Sequence, residues 1–116
     1  MVAHVQQQWA AAERSYQEAL QIKIEFNDRY SQALTLHQLG RVAEDQRQWD
    51  QAVAYVLPAA AIWASYNDHQ LGLALRTLVR LRQAGGQGDI AARLAETLEI
   101  SMEESEALLA RVSNEQ

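Results

Sequence analysis

The chain repeats itself with a forty-residue period, and that period narrows the folds open to it. Trp9, Ala12, Tyr16, Ala19 and Ile22 recur forty positions later as Trp49, Ala52, Val56, Ala59 and Ile62. The register holds through the following corner, where Phe26-Asn27-Asp28-Arg29 is matched by Tyr66-Asn67-Asp68-His69. Repeats of this length describe supersecondary units that cannot bury their apolar faces alone and must stack.

Inside each unit the apolar residues advance by three and four positions, which places them on one helical face. Trp9, Ala12, Tyr16, Ala19 and Leu20 share such a face, and so do Trp49, Ala52, Val56 and Ala59. Small Ala residues let a neighbouring helix approach, while Trp or Tyr fills the remaining gap. Between these segments a further helix, about 28–45, presents Ala33, Leu36, Leu39 and Ala43. Gly40 interrupts that stripe at a cost of about 1 kcal/mol relative to Ala. A close crossing by the next helix, where a Cβ would clash, is the expected reason. Asn27 or Asp28 can cap the start of this helix, and Asn67 or Asp68 the corresponding start one period later. The spacing predicts helices near 3–24, 28–45, 49–65 and 69–84, with short linkers that favour antiparallel neighbours. Pro58 falls inside the third, and the uninterrupted apolar pattern around it predicts a kink rather than a break.

After Asp68 the match weakens, and Arg80 stands where Gly40 would recur. Ala84-Gly85-Gly86-Gln87-Gly88-Asp89 is the clearest break in the chain, and a Gly here is expected to supply a left-handed cap. Ile90, Leu94 and Leu98 predict a helix over about 89–98. Ser101-Met102-Glu103-Glu104 has capping-box spacing and opens a last helix that uses Leu108, Leu109 and Val112. The organisation is therefore a repeat region over 1–84 and a C-terminal helix pair over 85–116, an irregular repeat or cap on the same core. A separate small domain is the alternative for that pair.

The chemistry that is missing narrows the function. At 116 residues, 48% hydrophobic and 22% charged, the chain suits one soluble core. A net charge of -5 opposes nonspecific binding to nucleic acid and to anionic membranes. With no Cys, thiolate catalysis and thiolate metal sites are excluded. No apolar run approaches the roughly 20 residues that cross a bilayer, and the first residues lack a secretory signal pattern. A cytoplasmic location is the default, and it reads the same for a piece of a longer chain. His4, His37 and His69 lack metal-ligand spacing. Gly85-Gly86-Gln87-Gly88 is not followed by the Lys-Ser/Thr of a phosphate loop. Glu103-Glu104 falls on a helix expected to be exposed. The expectation is a non-enzymatic protein with no cofactor and no metal site.

These residues resemble the tetratricopeptide repeat. Leu36, Leu39 and Gly40 match its hydrophobic–Leu–Gly signature on one helix, and Trp49, Ala52, Val56 and Ala59 match its aromatic–Ala–aromatic–Ala signature on the partner. Trp9, Ala12, Tyr16 and Ala19 carry the same signature earlier. Val56 departs by being aliphatic, with Tyr55 one position early. The forty-residue period with its Asn-Asp corner is similar to the long variety in kinesin light chains and in bacterial regulatory ATPases with repeat tails. The resemblance covers about 6–84 and implies an all-α fold of antiparallel helix pairs stacked as a short α-solenoid.

It also implies a groove lined by the first helix of each pair, here at Leu34, His37, Arg41, Glu44 and Asp45. The groove would hold a partner protein or peptide, with Arg41 able to clamp a carboxylate. The plainer reading of Arg41, Glu44 and Asp45 is a solvated face with i,i+3 and i,i+4 pairing. His37 is expected at the surface or in the groove. Trp63 and Tyr66 either pack the helix end or bind an aromatic or proline-rich partner. Exposed repeat ends favour self-association. A spacer or sensor segment of a larger regulatory protein is the alternative function. A nucleic-acid-binding helix-turn-helix over 89–112, with Arg93 and Arg111, is opposed by its several Glu.

Overall fold

The computed structural model describes residues 2–85 and 89–114, with side chains from Gln8 onward. The side chain of His4 and residues 86–88 lie outside that description. The fold is all-α: α1 Val2–Glu25, α2 Arg29–Asp45, α3 Trp49–Ser65, α4 Leu71–Gly85, α5 Ile90–Leu98 and α6 Met102–Asn114. The principal extents are 42 × 36 × 23 Å. The shortest is about two helix diameters, so the helices form a two-layer slab.

The first three helices end in the same way. Asn27, Arg47 and Asn67 are left-handed, with φ of 57°, 61° and 52°, and they stand twenty residues apart. At the first corner the Asn27 N–H donates to Ile24 O at 3.0 Å and the Asp28 N–H to Lys23 O at 2.8 Å. Arg47 with Gln48, and Asn67 with Asp68, repeat this pair of bonds. The arrangement satisfies carbonyls left over at the helix end and turns the chain back in a few residues. Asn tolerates the left-handed region, whereas Arg47 takes it at a steric cost. The Asp28 carboxylate then caps α2 by accepting from the Ser31 N–H.

Gly40 is buried where α2 crosses α3. A Cβ added there would lie 2.5 Å from Val56 Cγ2 and 3.4 Å from Ala52 O. The missing side chain is thus the condition for the crossing, as its position in the apolar stripe predicts. Helix α3 runs unbroken through the exposed Pro58. Its Ala52, Val56, Ala59, Ala60 and Trp63 are all buried, because α2, α4 and α5 surround it.

The C-terminal pair joins the same apolar cluster through Ile90, Leu94, Leu109 and Val112. Helix α5 packs on α3, and α6 packs on α4 and α5. Ser101 and Glu104 form the reciprocal capping box, with Glu104 N–H donating to Ser101 Oγ at 3.0 Å and Ser101 N–H to Glu104 Oε1 at 3.1 Å. The buried Ser105 hydroxyl donates to Ala91 O at 2.7 Å and ties α6 to α5. Gly85 closes α4 without a left-handed φ and is needed for space, while the other glycines of the run expected to supply a left-handed cap lie outside the described residues. A Cβ on it would meet the Trp49 indole at 2.6 Å. Helix α5 ends on the left-handed Glu99, with φ of 57°.

Candidate functional site

Helix α2 meets α4 and the turn that precedes it along one seam, and three polar links cross it. At one end the Tyr30 hydroxyl donates to Asp68 Oδ2 and accepts from Gln70 Nε2. In the middle His37 Nε2 meets Thr77 Oγ1 at 2.9 Å. At the other end Arg80 donates from Nε and Nη2 to both carboxylate oxygens of Glu44, each at 3.0 Å. The links start from Tyr30, His37 and Glu44, seven residues apart, so they rise along one face of α2. Two of them, Tyr30–Gln70 and His37–Thr77, join residues forty apart. The period seen in the sequence becomes a spatial contact here.

His37 is 6% exposed and stands edge-on to the buried Trp63 ring, with centroids 5.5 Å apart. This overturns the expectation of a surface or groove histidine. The cause is α4, whose Thr77 covers the ring, with the α3 indole behind it. Thr77 donates its hydroxyl proton to Leu73 O at 3.0 Å. Its oxygen is then left to accept from Arg80 Nη2 at 3.1 Å and from the His37 Nε2–H. Burial lowers the His37 pKa below its usual value, the nearby Arg41 and Arg80 lower it further, and Glu44 opposes them. His37 is accordingly a neutral structural residue.

Of the other expected groove residues, Leu34, Arg41 and Asp45 are exposed. Glu44 is taken up by Arg80 and lies 3.8 Å from Arg41 Nε. The salt link raises the Arg80 pKa, chiefly through its hydrogen bonds to Glu44. The structure therefore brings Arg41 and Glu44 together, leaves Leu34 and Asp45 open, and withdraws His37. Sequence reasoning missed Tyr30, Leu73, Thr77 and Arg80. Counting forty positions on from His37 reaches Thr77, and that register was the available signal. Tyr30 and Leu73 are 40% and 42% exposed, close to the 45% of Leu34. All three lie on the flank of the seam between the Tyr30 and His37 links.

Among the expected repeat residues, Leu39, Gly40, Ala52 and Ala59 are buried, while Trp9, Ala12, Tyr16, Ala19, Leu36 and Trp49 are partly buried. Trp63 is a packing residue at 1% exposure, and Tyr66 stands edge-on to Tyr30 at 5.0 Å. Among the described residues no cluster of His, Asp and Glu could hold a metal ion, and no helix is long and apolar enough to cross a membrane. No family model matches the chain, and neither a curated protein nor a solved structure does.

Proposed function

We propose that this chain is a non-enzymatic protein-interaction module of tetratricopeptide-like architecture that binds a partner polypeptide along the α2–α4 face. One observation carries the reading: Tyr30, Leu34 and Leu73 stay exposed above a seam fixed by the buried His37–Thr77 link. Apolar side chains held out on a rigid base suit a partner's side chains, and Arg41 and Asp45 beside them suit its orientation. The net charge of -5 favours a protein partner over nucleic acid or an anionic membrane.

The test is differential capture. Proteins retained by the wild type should be lost with a Leu34→Glu/Leu73→Glu double variant and weakened with Arg41→Glu, at unchanged helical circular dichroism. Equal capture by all three would remove this face from consideration and favour the spacer reading. A second reading, self-association through α1, is supported by Ile22 at 54% and Phe26 at 80% exposure. Its check is the solution mass of the wild type against Ile22→Glu.

A further inference from the structure

Helix α4 is attached in two different ways. Its Leu75, Leu78 and Leu81 are buried in the common core, and it packs broadly on α3 and α6. Toward α2 it makes only a narrow contact and turns a buried hydroxyl, Thr77, at 1% exposure. The first attachment is apolar and the second polar, so the seam with α2 can open while the core holds.

Of the three seam links, the middle one is held by a group that titrates near neutrality. Tyr30 and Asp68, at the first, are displaced away from neutrality in opposite directions by their shared hydrogen bond. Arg80, at the third, stays charged. Protonation of His37 adds a second N–H, at Nδ1, and a full positive charge to a ring that is 6% exposed. Thr77 cannot answer it with a further acceptor site, because its oxygen already takes the His37 and Arg80 donors. The charges that reach the ring are Arg41 and Glu44 from α2 and Arg80 from α4, while α3 turns the Trp63 indole toward it. Glu44 is already engaged by Arg80, so the cations prevail, with the Leu73 carbonyl giving a small opposing effect.

We propose that His37 is an acid-sensitive latch: when its ring gains a proton, α4 parts from α2 along the seam while α3 keeps both helices, and the face formed by Tyr30, Leu34 and Leu73 comes apart. The use of the latch rests on the partner face proposed above; the latch itself belongs to the free chain. The sign follows from where the ring is solvated. With the seam open, His37 takes up a proton near 6.5, and with it closed only at lower pH. Each pH unit between the two multiplies the open population up to about tenfold as the pH falls past 6.5. Complete unfolding gains the same proton but also exposes the apolar core, so the seam opens first.

The experiment is NMR of the whole free chain from about pH 7.5 to about pH 5. NOEs between the His37 ring and the Thr77 methyl should vanish with a midpoint below 6.5, and the Leu34 and Leu73 amides should shift with them. NOEs between Gly40 and Val56, which report the α2–α3 crossing, should persist. His37→Gln still donates to Thr77 through a neutral amide and should stay closed throughout. Arg41→Gln, on an exposed position, removes one opposing cation and should move the loss to lower pH. His37–Thr77 NOEs that survive protonation of the ring, loss of the Gly40–Val56 NOEs alongside them, opening in folded His37→Gln, or an unmoved midpoint in Arg41→Gln would overturn the latch. Proteins captured at about pH 7.5 should be released at about pH 5 by the wild type and kept by His37→Gln. Release by both would overturn control of the face by the latch. Capture of nothing at about pH 7.5 would sink the partner reading alone, since the NMR result decides the latch without a partner.

Discussion

Helices α1 and α3 carry a matching apolar stripe forty positions apart and meet different surroundings. Ile62 is 5% exposed and its counterpart Ile22 is 54% exposed. Ala52, Val56 and Ala59 are buried, whereas Ala12, Tyr16 and Ala19 are only partly so. Helix α3 has α2, α4 and α5 around it, while α1 packs chiefly on α2, with Gln17 donating to the Tyr55 hydroxyl at 3.3 Å. Tyr66 rests against Tyr30, and Phe26 at the equivalent corner is 80% exposed. A helical stripe thus encodes the shape of a seam, but burial is conferred by the neighbour that fills it.

The sharpest test of this difference is a matched truncation. Ile62→Ala should cost about 2–5 kcal/mol by leaving a cavity among packed helices. Ile22→Ala should cost about 0.5 kcal/mol, since little of its surface is buried. Similar shifts in urea midpoint for the two would break the comparison. Next in size, Gly40→Leu should cost about 3 kcal/mol by forcing α2 away from Val56, and an unchanged midpoint would refute the close crossing.

A smaller effect distinguishes the α2–α4 seam from the unfilled side of α1. The unfolded chain protonates His37 near its ordinary value of 6.5, and the folded chain does so only at lower pH. Unfolding therefore takes up a proton in that window, so stability falls as pH drops below 6.5 toward the folded value. His37→Gln should flatten that part of the curve in urea melts recorded across pH. Asp28 and Asp68 are also shifted downward, by hydrogen bonds that favour the carboxylate, so their contribution is lost only below about 3.8. The smallest effect belongs to Arg80→Ala, which should cost under about 1 kcal/mol in the same melts because the Glu44 link is partly exposed.

Much of the helical framework is legible from the chain alone, and the reasons are local. Apolar spacing, the Asn-Asp corners and the Ser101–Glu104 box all act within one or two turns, and the observed helices follow them. Gly40 is readable because glycine in an otherwise apolar helical stripe has few explanations. What escapes is decided at long range. The burial of His37 depends on Thr77, and the need for Gly85 depends on Trp49, which belongs to a different helix. The packing of α5 on α3 follows from a break after which the repeat no longer sets the register. For the candidate site, Leu34 and Arg41 are implied by the resemblance to the tetratricopeptide repeat, whereas Leu73 and Arg80 require knowing how α4 lies beside α2.

The left-handed residues at 27, 47 and 67 carry a consequence for how such a chain can change length. Because each helix residue advances the surface by about 100°, inserting a single residue between two of these corners would swing everything beyond it off its seam. Gain or loss of sequence would have to come in whole helical pairs, or fall between α4 and α5, where the even spacing has ended. Growth by duplication is then the mode of variation this architecture permits most readily, and point insertion the one it resists.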